Sequence, residues 1–147
     1  TVMKQDGILA SPSFSPDGSK LAFVSDRFGG PQIFVKDMSS GDTKRLTYSG
    51  NNNTAPVFSP KGNMIAFSCS TGGNFEICIM NSDGSNQRIL TDGGFNDSPH
   101  FSPCGRYIIY TSRNGNRDSI KMMLLNGDNK RVLKFTESSE SQPRFAP

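Results

Sequence analysis

Apolar residues in this chain fall in short unbroken runs separated by polar, glycine-rich stretches, and the runs return in a fixed order. Leu21-Ala22-Phe23-Val24-Ser25, Met64-Ile65-Ala66-Phe67-Ser68 and Tyr107-Ile108-Ile109-Tyr110-Thr111 consist of β-branched, aromatic or small residues, which predicts strands. Each is followed by a Gly/Asn/Asp-rich stretch (Asp26 to Gly30, Thr71 to Asn74, Asn114 to Asn116) and a second run: Ile33-Phe34-Val35, Ile77-Cys78-Ile79 and Ile120-Lys121-Met122. That layout predicts a hairpin whose loop has several residues. A further turn (Ser40-Gly41, Asp83-Gly84, Asn126-Gly127) leads to Lys44 to Thr47, Arg88 to Thr91 and Arg131 to Lys134. No apolar spacing of three and four persists between the Gly, Pro and Asn/Asp breakers, which excludes the long helices of helical repeat arrays.

A short motif precedes each set of runs. Phe14-Ser15-Pro16-Asp17-Gly18 returns as Phe58-Ser59-Pro60-Lys61-Gly62 and Phe101-Ser102-Pro103-Cys104-Gly105, and the chain ends inside a fourth copy at Phe145-Ala146-Pro147, with steps of 44, 43 and 44 residues. A period of this size marks a repeat architecture. In the motif, Pro sets φ for the first corner of a turn and Gly accepts a positive φ, while the variable third position (Asp17, Lys61, Cys104) is expected to be exposed. Pro12, Pro56, Pro99 and Pro143 stand two residues before the motif Phe, so the first strand of each repeat is expected to be short and to lack a donor at one end.

Four short antiparallel strands per repeat make one propeller blade. The fold class that follows is all-β, a partial β-propeller of three four-stranded antiparallel blades with one orphan strand at each end. Residues 1–13 are expected to hold the outer strand of a preceding blade (Thr1 to Lys4) and its connection. The repeats run over 14–57, 58–100 and 101–144, with 145–147 opening a fourth. Three blades leave two sheet faces uncovered, more apolar surface than a monomer tolerates. Either the chain is part of a longer propeller, which the missing initiator Met and the start in mid-blade favour, or copies self-associate through the exposed faces.

The formal charge of +3 does not imply nucleic acid, because the cations do not cluster and Lys44, Arg88 and Arg131 take equivalent outer-strand positions, where charge protects an edge. None of the three cysteines repeats, and metal-type Cys spacing is missing. Cys69 and Cys78 lie on the two arms of one hairpin; ordinary small-residue packing is the favoured state and a bridge the alternative. No apolar stretch is long enough to span a membrane, and no signal peptide opens the chain.

A catalytic constellation is not found. The single histidine, His100, has Ser13, Val57 and Arg144 as counterparts, so the repeat does not require an imidazole there. Nucleophile-elbow, phosphate-loop and metal-ligand patterns are missing, and Asp17 and Asp83 are explained by their turns. No catalytic residue, metal or cofactor is expected. Binding remains. The loops between the second and third strands and the outer-to-inner connections share one rim, which carries aromatics, arginines and amides of the kinds that make interface contacts. The candidate partner-binding set is Arg27, Phe28, Tyr48, Asn53, Thr54, Phe75, Phe95, Asn96, Asp97, Arg113 and Arg117, with His100 of the inner strand.

Ser11-Pro12-Ser13-Phe14-Ser15-Pro16-Asp17-Gly18, Val24-Ser25-Asp26-Arg27, Ile79 to Ser85 and Arg88-Ile89-Leu90-Thr91 resemble the repeats of the TolB β-propeller family, over essentially the whole chain. Asn86-Gln87-Arg88-Ile89-Leu90-Thr91 and the ending Gln142 to Pro147 resemble its pattern most closely. Departures are the absence of Trp at the motif aromatic, Cys104 in place of the usual Asp, and Lys134 in place of Thr. The resemblance implies half of a six-bladed propeller in the periplasm, part of the Tol-Pal system, binding the peptidoglycan-associated lipoprotein and supporting outer-membrane integrity without enzymatic activity. Related repeats also resemble the gating propellers of prolyl-oligopeptidase and tricorn-type serine peptidases. In that alternative the catalytic domain lies outside this chain.

Overall fold

The computed structural model describes residues 12–136, and among them there is no helix. Twelve strands form three antiparallel sheets of four, each sheet in sequential order. The first contains β1 (Ser13–Phe14), β2 (Lys20–Ser25), β3 (Gln32–Asp37) and β4 (Thr43–Arg45). The second contains β5 (Asn53–Phe58), β6 (Met64–Thr71), β7 (Asn74–Asn81) and β8 (Arg88–Ile89). The third contains β9 (Phe95–Phe101), β10 (Tyr107–Asn114), β11 (Arg117–Leu124) and β12 (Arg131–Thr136). The orphan strand expected at Thr1 to Lys4 and the fourth copy opening at Phe145 lie outside the described residues.

The strands of the second sheet read as unbroken apolar runs because both of its faces are covered. From the second sheet, Ile65, Phe67, Cys69, Cys78 and Met80 pack against Ala22, Ile33 and Val35 of the first. On its other face, Ala66, Ile77 and Ile79 pack against Ile108, Tyr110 and Met123 of the third. Burial lifts the Tyr110 phenol to about 12, with the negative charge of Glu76 adding to the effect, so this core hydroxyl stays neutral across the physiological range.

Each Ser-Pro-x-Gly step is closed the same way. The amide of Gly18, Gly62 or Gly105 donates to the carbonyl of Ser15, Ser59 or Ser102 at 2.9, 2.8 and 2.9 Å, and the glycines hold φ of 74°, 75° and 77°. The serine side chains are buried, and their Oγ atoms accept from the amides of Lys20, Met64 and Tyr107 at 3.0, 3.1 and 3.0 Å. The variable residues Asp17, Lys61 and Cys104 face solvent. Asp17 accepts from the Ser19 amide and from the hydroxyls of Ser19 and Ser15, which holds its carboxyl down at about 2.

Three expectations are corrected. The inner strands β5 and β9 are not short: Pro56 and Pro99 lie inside them, at bulges where Ala55-Pro56 faces Phe67 and Ser98-Pro99 faces Tyr110 across a register shift. Ala55 and Ser98 turn to φ of 54° and 57°, so a residue without a donor falls where the ladder is already interrupted. The second-to-third-strand loop has several residues only in the first sheet. In the other two, Thr71 pairs with Asn74 and Asn114 with Arg117, leaving two-residue turns. Finally, Cys69 and Cys78 are bridged, with Cα atoms 6.0 Å apart. They are diagonal neighbours on one sheet face, since Cys69 pairs with Glu76 and Cys78 with Phe67, and sequence spacing alone does not reveal that diagonal.

Candidate interaction rim and the family of the chain

The connections from one sheet to the next cross the ends of the third strands, and a repeated buried polar tie holds them there. Gln32, at the start of β3, accepts from Thr47 Oγ1 (2.6 Å) and Asn53 Nδ2 (2.8 Å) and donates to the Gly50 carbonyl (3.0 Å). Glu76, its counterpart in β7, accepts from Thr91 Oγ1 (2.5 Å), Asn96 Nδ2 (2.9 Å) and the Gly93 amide (2.8 Å). Thr47 and Thr91 in turn accept from the amides of Ile33 and Ile77, each at 2.9 Å. All six side chains are buried, and each makes at least one hydrogen bond within the tie. The third sheet has Ser119 and Lys134 at the equivalent positions and cannot repeat the tie.

Asn53 and Asn96 are therefore removed from the exposed set: at 3% and 4% exposure their amides serve the tie. Sequence alone places both among the partner-binding rim residues; the signal for the tie is their recurrence 43 residues apart, with Gln32/Glu76 and Thr47/Thr91 at 44.

Over the end of the first sheet, Arg27, Phe28 and Tyr48 come together around Arg45, which sequence reasoning missed. The Arg27 guanidinium lies 5.4 Å from the Phe28 ring, and that of Arg45 lies 5.8 Å from Phe28 and 4.5 Å from Tyr48. Phe28 stacks on buried Phe34 at 6.1 Å, and Phe34 on Phe23 at 5.8 Å. Phe28 and Tyr48 are nonetheless 64% and 69% exposed. The loop carrying Phe28 is clamped to the next connection, since the Asn53 amide donates to the Pro31 carbonyl at 2.8 Å. A Cβ at Gly30 would lie 1.9 Å from the Asn51 carbonyl oxygen, so only glycine fits this contact.

A second group forms over the other two sheets. Phe75 and Phe95 pack at 5.2 Å with rings tilted by 57°. Phe95, Asp97, Thr111 and Arg113 line a cavity of about 210 Å³. Arg113 forms a forked pair with Asp118 (2.7 and 3.2 Å), which lowers the Asp118 carboxyl and raises the guanidinium. Asp97 accepts from Ser68 Oγ (2.5 Å) and the Ser98 amide (2.7 Å). Thr54 is half-buried in β5, and Arg117 is exposed where the β10–β11 turn enters β11. His100 is not with these groups. Its Nδ1 sits 3.3 Å from the Ser98 carbonyl, and it lines an open groove of about 570 Å³ with Ser13, Phe14, Val57 and Phe101, shared by the three inner strands. Among the described residues no cluster of three or more His, Cys, Asp or Glu side chains could hold a metal ion.

Stacked four-stranded sheets in sequential order, joined by connections that all cross one rim, define a β-propeller segment. The model of the TolB beta propeller domain matches residues 1–147, and the chain belongs to that family. It is 58% identical over 43 residues (29% of this chain, 10% of the relative) to the Protein TolB homolog of Chlorobium luteolum. Over 74 residues it is 31% identical to the Tol-Pal system protein TolB of Alcanivorax borkumensis (50% of this chain, 17% of the relative). The crystal structure of TolB from Acinetobacter baumannii superposes with a TM-score of 0.79 at 33% identity, over 95% of this chain and 35% of that one. The matches thus span well under two thirds of these longer proteins.

Proposed function

We propose that this chain is the protein-binding propeller portion of a TolB-like component of the Tol-Pal system, working in the periplasm. Its role is to hold the peptidoglycan-associated lipoprotein and so support outer-membrane integrity. The observation that carries the reading is the family match along the whole chain, together with the Tol-Pal name of a relative 31% identical to it. The mechanism is recognition without bond making. Rigid sheets fix the connections through the Gln32 and Glu76 ties, and the rim presents Arg27, Phe28, Tyr48, Thr54, Phe75, Phe95, Asp97, Arg113 and Arg117 to the partner. Surfaces held in place before binding lose little freedom on contact, which is the benefit of anchoring the loops in buried hydrogen bonds. The Cys69–Cys78 bridge fits an oxidising compartment such as the periplasm.

Calorimetric titration of the chain with the soluble domain of the lipoprotein tests the proposal. A saturable one-to-one isotherm is expected. No heat of binding at concentrations up to about 1 mM, where specific recognition would exceed roughly −4 kcal/mol, contradicts it.

A further inference from the structure

We infer that the Arg27, Phe28, Arg45 and Tyr48 cluster is the docking point for an acidic, extended segment of the protein partner. The inference rests on the reading of the rim as the partner-binding surface and adds the chemistry of what lands there. Arg45 lies over both rings, and Arg27 lies over that of Phe28. Among the described residues the one ion pair joins Arg113 to Asp118, so neither Arg27 nor Arg45 is matched to a carboxylate. Arg45 Nε donates to the Thr47 carbonyl at 2.6 Å, which fixes its plane and leaves the terminal nitrogens of the fork for an incoming group.

The cluster is not something the blade itself requires. Half-buried Arg45 has exposed Ile89 and Val132 as its equivalents in the other sheets, so an outer strand is built equally well without a cation there. Tyr48 likewise aligns with Asp92, so the same corner of the next blade carries a carboxylate in place of a ring. Two guanidiniums and two exposed rings, gathered from the clamped loop, β4 and the connection after it, match carboxylate side chains spaced along a peptide, whose backbone and methylenes lie on the rings. A nucleic-acid strand would need a groove tracking successive phosphates, and this cluster holds two cations.

The test uses fluorescence anisotropy with the 147-residue chain and labelled peptides of alternating Glu and Ser, or alternating Gln and Ser, at low salt. The acidic peptide is expected to bind about tenfold tighter than the neutral one, and the double variant R27E/Y48A to lose about tenfold. K61E on the opposite rim serves as the charge-matched control and keeps the affinity, and thermal melts confirm that both variants fold. Equal binding of the two peptides, an R27E/Y48A variant that binds normally, or tighter binding of oligo-dT than of the acidic peptide overturns the inference. Parallel titration with the lipoprotein domain separates the two readings. Capture that R27E/Y48A leaves intact overturns this site and spares the rim, whereas no capture by the unaltered chain overturns the rim reading itself.

Discussion

Replacing Asn96 by alanine removes two hydrogen bonds, a buried one to Glu76 Oε1 and one to the carbonyl of exposed Gly93, both 2.9 Å. Glu76 keeps Thr91 and the Gly93 amide but loses its third donor, in surroundings where the carboxylate is 4% exposed. A hydrogen bond to a charged group contributes about 1.5–3 kcal/mol, while water can take over the carbonyl of exposed Gly93, so Asn96→Ala should cost about 2–3 kcal/mol. For a chain of this size each kcal/mol moves the thermal midpoint by about 2–4 °C, giving a drop of about 5–10 °C. Asn53→Ala breaks the equivalent bonds to Gln32 and the Ser49 carbonyl. Because Gln32 is neutral, the cost there should be smaller, about 1–2 kcal/mol. Differential scanning calorimetry on both variants, with lipoprotein titrations alongside, gives the comparison. A midpoint that stays within about 2 °C for Asn96→Ala while partner affinity falls would show that this amide is a contact residue and refute the tie.

The disulfide closes a loop with a sequence separation of 9, so the Cys69→Ala/Cys78→Ala double variant should lose about 2.5 kcal/mol by chain entropy, and reductant should lower the midpoint of the native chain but not of the variant. Asp17 has its folded pKa depressed to about 2, so the stabilisation it supplies is present above its unfolded value of 3.8 and is lost as pH falls through about 2. Melts from pH 5 down to about 2 should fall less steeply for Asp17→Asn than for the native chain, and parallel curves would contradict this. Gly30→Ala places a methyl 1.9 Å from the Asn51 carbonyl oxygen, and the loop must shift. Acidic-peptide affinity should then drop even where the fold survives, as circular dichroism can verify, and unaltered affinity would show that the clamp does not position Phe28.

The strands and turns were legible because they depend on local chemistry that repeats. Runs such as Ile65 to Cys69 are buried on both faces and so stand out as apolar, and Ser-Pro-x-Gly carries its own backbone geometry. Tertiary pairing among polar side chains left no such trace. Gln32, Thr47 and Asn53 look like ordinary surface residues until the fold brings them together, and only their recurrence one period later betrayed a shared role. Arg45 was hidden by its setting beside Lys44 on an outer strand, where a cation is readily taken for edge protection. Pro56 and Pro99 suggested a short strand, because a bulge with Ala55 or Ser98 at positive φ cannot be foreseen from residue type. Rim membership followed from topology, while which rim side chains turn inward, as Asn53 and Asn96 do, depended on packing.

Hydrogen exchange of the chain with and without the lipoprotein's soluble domain addresses the central claim most directly, because it reads the whole surface at once. Protection should gather on the connections around residues 26–30, 48–54, 72–75, 93–97 and 114–117. Protection confined to the Ser-Pro-x-Gly rim, around 16–19, 60–63 and 103–106, or none anywhere, would contradict a partner held on the loop rim.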